Sequence, residues 1–234
     1  VLSVYIGMTV VTTLLLKLCG MTWFDSVCHA MSACGTCGFS TKDTSIAWFD
    51  SAWVEIVLML AMCTSGIHFG LIFATLTRQR NNIFRSEVVR TFIGMMLVIS
   101  FVIALSLYAA DIYPTFGNAL RHASFQVVSI ATTSGFATAD TNTWTSLAIV
   151  LLMFCTVICG CAGSTSGGMK VDRLLIASKV IRNRMKIQLH PNAVIRTKMD
   201  GIVQEESTQS LVMTFILSYI MLTLIGTIIY TLFN

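Results

Sequence analysis

Long apolar stretches alternate with shorter polar segments along the whole chain. Each stretch is close to the roughly 20 mostly apolar residues that a helix needs to cross the hydrocarbon core of a bilayer. Charged residues interrupt the stretches only near their ends, as Lys17, Glu55 and Arg90 do. The pattern predicts five membrane-spanning helices, over residues 1–19, 52–76, 88–110, 145–159 and 210–233.

The connections that follow the first and third stretches are unusual because they are themselves partly apolar. In the second of these connections, residues 120–131 carry apolar positions at helical spacing. An apolar segment of this length between two spans is typical of a re-entrant helix. A run rich in Thr, Gly and Ser follows each short helix, and irregular backbone at membrane depth is tolerated only inside protein or beside a water-filled path. We therefore predict that both connections enter the membrane as pore loops.

Composition places the chain among integral membrane proteins. Hydrophobic residues make up 55% and charged residues only 11% of its 234 residues, whereas soluble domains carry about 25% charged residues. The abundance of apolar residues also excludes disorder. A net charge of +4, scattered over an apolar chain, does not predict nucleic-acid binding. The chain starts at Val1 within an apolar stretch, which argues against a signal peptide and leads us to expect an excerpt of a longer protein.

The distribution of basic residues predicts the orientation in the membrane. Four Arg residues around the second connection and eight Lys or Arg residues after the fourth stretch account for 12 of the 15 basic residues. The positive-inside rule places these segments, residues 78–87 and 170–205, in the cytoplasm. Residues 20–51 and 111–144 then lie outside, so the pore loops enter the membrane from the outside.

The two outer connections repeat one another. Residues 25–43 align without gaps with residues 122–140 at a constant offset of 97, and both contain Thr-x-Gly-Phe. Potassium filters use Thr-Val-Gly-Tyr-Gly, whose backbone carbonyls replace the hydration shell of the ion. Such carbonyls can face one axis only where a residue takes a positive φ, which Gly does without steric cost. We predict that loop A (residues 35–38) and loop B (residues 132–135) supply the filter residues, namely Gly35, Thr36, Cys37, Gly38, Thr132, Thr133, Ser134 and Gly135.

A Gly-rich run interrupts the chain after the fourth apolar stretch. Residues 160–168, here called the Gly-rich loop, contain four Gly and three hydroxyl residues, and each Gly costs a helix up to about 1 kcal/mol relative to Ala. We predict a broken helix, with an outer half over 145–159 and a second helix over 169–187. The run fails the phosphate-binding Gly-x4-Gly-Lys-Ser/Thr motif because Met169 stands before the Lys. It is either a tight helix-packing patch or a movable gate below the filter, formed by Gly160, Gly163, Ser164, Thr165, Ser166, Gly167, Gly168 and Lys170.

The titratable residues predict neither a metal site nor a catalytic site. The eight Cys include one Cys-x-x-Cys pair, Cys34 and Cys37, which lies inside the repeated segment and has no second pair at zinc-ribbon spacing. His68 lies within a predicted span and is expected to hydrogen-bond between helices. An intramembrane enzyme is not favoured, because no His/Glu/Asp cluster occurs at membrane depth. Three acidic residues of the outer connections either attract cations to a pore mouth or are ordinary solvated charges, namely Asp25, Asp43 and Asp140.

Four sequence motifs together point to one family. They are Gly-Phe-Ser-Thr-Lys-Asp (38–43), Phe-Gln-Val-Val-Ser-Ile-Ala-Thr-Thr-Ser-Gly-Phe (125–136), Gly-Cys-Ala-Gly-Ser-Thr-Ser-Gly-Gly-Met-Lys (160–170) and His-Pro-Asn-Ala-Val (190–194). In combination they resemble the Trk/Ktr/HKT superfamily of potassium and sodium transporters, and most closely its bacterial TrkH potassium uptake subunits. The resemblance implies an all-α integral membrane protein in which helix–pore loop–helix units surround a pseudo-fourfold pore.

The resemblance also implies how the chain divides. Residues 1–77, here called repeat A, resemble the second of four units, and residues 87–187, repeat B, resemble the third with its gating loop. Residues 205–234 resemble only the first helix of the fourth unit. Two of four filter arcs cannot surround an ion, so this chain alone is not expected to conduct. Cys37 and Ser134 stand where the family often has Gly, which leaves the preference between K⁺ and Na⁺ open.

The function that the resemblance implies is uptake of K⁺ across the bacterial cytoplasmic (inner) membrane, with no enzymatic reaction and no cofactor. Coupling to Na⁺ or H⁺ stays open. The resemblance further implies a homodimer in the lipid bilayer, regulated by cytoplasmic nucleotide-binding TrkA-like subunits that could dock on the basic residues 170–198. The alternatives are a sodium-permeable or K⁺/Na⁺-symporting relative and, in another class, a non-conducting regulatory or assembly fragment.

Overall fold

The computed structural model describes residues 2–77, 83, 85–190 and 196–233. Most of the motif at 190–194 and most of the predicted cytoplasmic segment 78–87 therefore lie outside the described residues. Within the described residues the fold is helical, with one two-stranded hairpin. The elements are α1 (Leu2–Leu18), α2 (Trp23–Cys34), α3 (Ala52–Ser65), α4 (Phe69–Leu76), α5 (Glu87–Ala109), α6 (Phe116–Ala131), α7 (Ser146–Ile158), α8 (Val171–Leu189), β1 (Lys198–Met199), β2 (Ile202–Val203) and α9 (Glu206–Phe233).

Four of the five predicted spans coincide with apolar helices, namely α1, α5, α7 and α9. By length and composition, α5 and α9 can each cross a bilayer, and so can the bent pair α3 and α4 if it counts as one span. The helices α1 and α7 are apolar but shorter, with 17 and 13 residues. The described residues thus contain two or three helices that meet the length of a full crossing.

The span predicted over residues 52–76 is broken rather than continuous. The axes of α3 and α4 differ by 101° across a short break. Gly66 is the C-cap of α3, and His68 is the N-cap of α4. The Nδ1 atom of His68 accepts a 2.9 Å hydrogen bond from the Gly70 N–H. The interhelical hydrogen bond expected of His68 is therefore replaced by a local one that begins α4.

Two helices of intermediate length occupy the positions predicted for the re-entrant segments. The helix α2 has 12 residues, and α6 has 16 residues because it begins at Phe116 rather than at the predicted residue 120. Each begins at a Thr N-cap, since Thr22 Oγ1 accepts from the Asp25 N–H and Thr115 Oγ1 from the Asn118 N–H. Such caps satisfy one of the backbone donors that a helix start leaves unpaired. The helix α2 packs against α1 and α3, and α6 packs against α5 and α7.

The chain forms two compact units, Val1–Gly168 and Met169–Asn234. The core of the first unit contains the fully buried side chains Phe92, Phe125 and Phe136. The boundary between the units lies inside the predicted repeat B, and the division into repeats stays a prediction.

The second compact unit consists of α8, the hairpin and α9. The helix α8 confirms the predicted second helix with a shift of two residues, and it packs against α9. The guanidinium carbon of Arg173 lies 3.8 Å from the centroid of the Phe215 ring, a cation–π arrangement. The hairpin was not predicted. Asp200 and Gly201 form its turn with φ values of 48° and 81°, as a two-residue type I′ turn requires.

Candidate functional site

The helix α2 of repeat A ends in a Schellman motif. The Thr36 N–H donates to the Ala33 carbonyl at 3.3 Å, and the Cys37 N–H donates to the Ser32 carbonyl at 2.9 Å. In this motif two backbone donors that follow the helix satisfy carbonyls of its last turn, and the residue after the C-cap is left-handed. The chain therefore turns sharply at Thr36 and enters loop A without leaving these carbonyls unpaired.

The helix α6 of repeat B ends in the same way. The Thr133 N–H donates to the Ile130 carbonyl at 2.9 Å, and the Ser134 N–H donates to the Ser129 carbonyl at 2.8 Å. All four residues lie 97 positions after their counterparts in repeat A. The sequence repeat is thus also a repeat of backbone structure at the entrance to both predicted filter loops.

Two residues in each loop have a positive φ. Thr36 and Thr133 have φ values of 52° and 57°, and Gly38 and Gly135 have values of 76° and 83°. The positive φ predicted for the glycines is confirmed, whereas the threonines were not foreseen. The left-handed conformation costs an L-residue roughly 1–2 kcal/mol, and glycine is the usual residue at this place in a Schellman motif.

Loops A and B approach each other closely at Gly38 and Gly135. A Cβ atom added at Gly38 would overlap the carbonyl oxygen of Ser134 and would lie 3.1 Å from the Cα atom of Gly135. A Cβ atom added at Gly135 would meet only the Cα atom of Gly38, at 4.0 Å. Position 38 therefore requires glycine for both its φ and its space, whereas position 135 has room for a small side chain.

The hydroxyl groups of Thr132 and Ser134 stabilise loop B by hydrogen bonds. Thr132 and Ser134 are buried, and their Oγ atoms lie 2.9 Å apart. The Thr132 hydroxyl also donates to the Val128 carbonyl at 2.8 Å. In loop A, Cys37 is exposed and its Sγ lies 3.5 Å from the Gly35 carbonyl oxygen. The side chains of Thr132 and Ser134 are therefore engaged in hydrogen bonds within the described structure.

The Gly-rich loop contacts both loop A and loop B. The Thr36 hydroxyl donates to the Thr165 carbonyl at 3.1 Å, and the Thr165 hydroxyl donates to the Cys34 carbonyl at 3.1 Å. In loop B, the Thr133 hydroxyl accepts a 2.9 Å hydrogen bond from the Gly167 N–H. The two threonines with positive φ therefore hold the same loop from two equivalent positions.

Residues at the break between α3 and α4 also form hydrogen bonds with the Gly-rich loop. The Cys161 N–H donates to the Gly66 carbonyl at 2.9 Å, and the Phe69 N–H donates to the Gly163 carbonyl at 3.2 Å. Gly163 has a φ of 74°, and a Cβ atom there would overlap the His68 ring. The Gly-rich loop of repeat B thus packs into the bend between α3 and α4 of repeat A. This packing explains why the apolar stretch over residues 52–76 does not continue as one helix.

The remaining residues of the predicted gate divide between the two compact units. The Oγ atoms of Ser164 and Ser166 lie 2.7 Å apart. A Cβ atom at Gly160 would overlap the Ser166 hydroxyl, and Gly168 has a φ of 71°. Lys170 is the N-cap of α8, has a φ of 72° and belongs to the second unit.

A buried ion pair joins α3 of repeat A to α6 of repeat B. Arg121 donates from Nε to Glu55 Oε2 at 2.7 Å and from Nη2 to Glu55 Oε1 at 2.8 Å. The Glu55 side chain is 4% exposed and that of Arg121 is 30% exposed. Asp50, which is well exposed, lies 3.9 Å from Arg121. A bidentate pair of this kind fixes orientation as well as distance.

The three acidic residues of the outer connections differ in their surroundings. Asp25 is buried, and the hydroxyls of Thr41 and Thr22 donate to its two carboxylate oxygens. These hydrogen bonds lower the pKa of Asp25 below its ordinary value. Asp25 therefore stabilises the start of α2 and is not a solvated mouth charge, whereas Asp43 and Asp140 are exposed.

Sequence reasoning missed two groups of residues at this site. Gly66 and His68 interrupt an apolar stretch, and this small and polar pair was a signal for the break. Glu55 stands near the start of an apolar stretch, where a buried carboxylate needs a partner, and that need pointed toward a basic residue such as Arg121. Among the described residues, no group of three or more His, Cys, Asp or Glu side chains could hold a metal ion.

Comparison with known proteins gives consistent results. Residues 2–234 match the family described as "TrkH: Cation transport protein". The "Trk system potassium uptake protein TrkH" of Salmonella typhimurium is 35% identical over 224 residues, which cover 95% of this chain and 46% of that protein. The protein of the same name from Halomonas elongata is 34% identical over 220 residues, covering 94% of this chain and 45% of that protein.

A solved structure shares the fold. The crystal structure of the potassium transporter TrkH from Vibrio parahaemolyticus superposes with a TM-score of 0.90 at 32% sequence identity, covering 95% of this chain and 48% of that one. The chain thus spans about half the length of the relatives it matches. Because the family match extends over nearly the whole sequence, the chain belongs to the TrkH family of cation transport proteins.

Proposed function

We propose that this chain is the part of a potassium uptake protein that carries two arcs of the ion filter and the gate below them. The observation that carries the proposal is the duplicated turn into loops A and B, with the same hydrogen bonds and the same positive φ values in both. The names of the relatives, which are potassium uptake proteins, support K⁺ as the transported ion.

Selection by the filter rests on backbone carbonyls. Loops A and B supply these oxygens to a dehydrated cation, and the negative ends of α2 and α6 favour a positive charge there. Gly38 and Gly135 supply the positive φ that turns the carbonyls. Cys37 and Ser134 contribute carbonyls rather than side chains. Because they stand where the family often has glycine, a sodium-permeable or K⁺/Na⁺-symporting relative is the second candidate.

The pathway needs further filter arcs beyond the two present here. The Phe136 ring of repeat B is fully buried and stacks on the His29 ring of repeat A, with centroids 5.9 Å apart. Its counterpart, Phe39 of repeat A, is 81% exposed. In a ring of equivalent units, Phe39 would pack on a preceding unit as Phe136 packs on repeat A. This asymmetry supports a pseudo-fourfold pore in which residues 1–77, 87–187 and 205–234 belong to successive units.

The Gly-rich loop is the gate of this pathway, because it lies against both filter loops and lacks regular secondary structure. Glycines give it the backbone freedom that movement requires. The distribution of basic residues supports the bacterial inner membrane orientation, with residues 78–87 and 170–205 in the cytoplasm. The proposal includes a homodimer and a nucleotide-binding TrkA-like regulator that docks on the basic cytoplasmic segment. Coupling to Na⁺ or H⁺ is a separate question for flux measurements.

The test uses the complete gene product that contains this chain, expressed in bacteria that lack their own potassium uptake systems. We expect growth at low external K⁺ and saturable uptake of ⁸⁶Rb⁺, with cells carrying the empty vector as the control. Correct insertion is checked by detecting the protein in the membrane fraction. Protein that is present in the membrane but gives no growth and no uptake would contradict the proposal and favour the non-conducting alternative.

A further inference from the structure

We propose that Thr36 and Thr133 are positioning residues that latch the Gly-rich loop shut beneath the filter. The inference rests on the proposed function, because it assigns the gate a specific means of closure. The two residues are equivalent in the repeat, 97 positions apart, and each is the left-handed residue that follows a re-entrant helix. Their side-chain hydroxyls contact the Gly-rich loop at Thr165 and Gly167.

The two hydrogen bonds run in opposite directions, since the Thr133 hydroxyl accepts and the Thr36 hydroxyl donates. At Thr133 the hydroxyl oxygen accepts a 2.9 Å hydrogen bond from the Gly167 N–H, so the side chain pairs a backbone donor of the Gly-rich loop. At Thr36 the hydroxyl donates toward the Thr165 carbonyl at 3.1 Å and shares its proton with the nearer Gly35 carbonyl at 2.8 Å. The Thr133 contact is therefore the stronger half of the latch.

The choice of residue supports a role for the hydroxyl. The hydrogen bonds of the Schellman motif use only backbone atoms, and glycine takes the required φ without the crowding that a β-branched side chain meets. Threonine is therefore unfavourable at both positions as far as the turn is concerned. Its hydroxyl reaches the Gly-rich loop in both repeats, which offsets that disadvantage only if the loop contact matters.

The latch links the gate to the filter mechanically. The Gly-rich loop cannot withdraw without breaking the Thr133–Gly167 and Thr36–Thr165 hydrogen bonds. A backbone N–H that loses its partner must find water or another acceptor. Movement of the Gly-rich loop is thus opposed at loop A and loop B together, and a regulator that opens the pathway has to release both contacts.

The test compares Thr133→Val and Thr36→Val with Thr133→Ser and Thr36→Ser in the complete protein. Valine keeps the β-branched shape but removes the hydroxyl, whereas serine keeps the hydroxyl. Thr156→Val is the matched control, because the Thr156 hydroxyl bonds only to carbonyls of its own helix among the described contacts. The first readout is amide hydrogen exchange of the peptide that contains residues 160–168. The second readout is ⁸⁶Rb⁺ flux without an activating nucleotide.

We expect Thr133→Val to exchange about three- to tenfold faster in this peptide, as the loss of one hydrogen bond predicts, and to raise the unstimulated flux. Thr36→Val should show a smaller effect of the same sign. The serine variants should keep the slow exchange of the unchanged protein in this peptide, and Thr156→Val should match the unchanged protein in both readouts. If the valine variants do not reach the membrane, Thr133→Ala and Thr36→Ala remove the same two hydroxyls with a smaller side chain and keep the test possible.

Unchanged amide exchange in the valine variants would overturn the latch. Serine variants that exchange as fast as the valine variants would overturn it as well. Failure of the proposed function looks different, because the unchanged protein would then show no flux at all while the exchange comparison still reports on the hydroxyl contacts. Unchanged flux in valine variants whose exchange is faster would also overturn the latch as a gating contact.

Discussion

The ion pair between Arg121 and Glu55 offers a direct test of how the two repeats are held together. Both carboxylate oxygens of Glu55 are paired with Arg121, at 2.7 and 2.8 Å, and the Glu55 side chain is only 4% exposed. Replacing Arg121 by Met leaves this carboxylate buried without its partner. Breaking a buried pair from one side typically costs about 3–5 kcal/mol, and we expect a loss of that size in the free energy of unfolding.

The reverse replacement should cost less. In Glu55→Leu the Arg121 side chain, which is 30% exposed, keeps part of its hydration and has Asp50 at 3.9 Å. We expect a loss of about 1–3 kcal/mol, in the range of one charged hydrogen-bond partner. The double variant Glu55→Leu/Arg121→Met should lie within about 1 kcal/mol of the unchanged protein, because replacing both partners by apolar residues is often close to neutral.

The assay is denaturant titration of the purified protein in detergent micelles, arranged as a double-mutant cycle. Asp50→Asn is the control, since this carboxylate is exposed and should change the free energy of unfolding by no more than about 0.5 kcal/mol. Additive losses in the double variant, or a loss below about 1 kcal/mol for Arg121→Met, would refute the reasoning. Either result would mean that the pair does not couple α3 to α6 energetically.

Two further predictions concern loop A and its support. Gly38→Ala should abolish ⁸⁶Rb⁺ uptake, because its Cβ atom would overlap the Ser134 carbonyl at a φ of 76°. Gly94→Ala, which meets open space in α5, should leave uptake intact. Equal uptake by both variants would contradict the close approach of loops A and B. Thr41→Val should destabilise the protein at pH 7, because the Thr41 hydroxyl helps to lower the pKa of Asp25. A lowered carboxyl pKa contributes stability above the ordinary value near 4 that is lost as the pH falls through the folded-state pKa. The difference between Thr41→Val and the unchanged protein should therefore shrink in acid, and a difference that is constant from pH 7 to pH 3 would exclude this role.

Local sequence signals predicted most of the helices because hydropathy and charge determine them directly. The apolar stretches became α1, α5, α7 and α9, and the short amphipathic segment before loop B became α6. The break between α3 and α4 was not predictable from the overall hydropathy of the stretch, although Gly66 and His68 were a local signal for it. That break is stabilised by hydrogen bonds from Cys161 and Phe69, which join segments about 95 residues apart in the sequence.

The candidate site was likewise predictable only where local sequence determines the structure. The offset of 97 identified both loops, and the preference of glycine for positive φ identified the conformation of Gly38 and Gly135. The left-handed threonines could not be foreseen, because single-residue preferences weigh against them. Only the docked Gly-rich loop gives a reason for their hydroxyls, and that contact depends on tertiary structure.

The central claim is that loops A and B select K⁺ through their backbone. Gly135→Ser tests it most directly, because position 135 has space for a small side chain but requires a φ of 83°. The measurement is ⁸⁶Rb⁺ uptake by the complete protein in competition with K⁺ and Na⁺, with Gly94→Ser as the matched control. We predict that Na⁺ competes more strongly in Gly135→Ser than in the unchanged protein, while Gly94→Ser is unaffected. An unchanged ratio of K⁺ to Na⁺ competition in a Gly135→Ser variant that still transports would contradict the assignment of the filter.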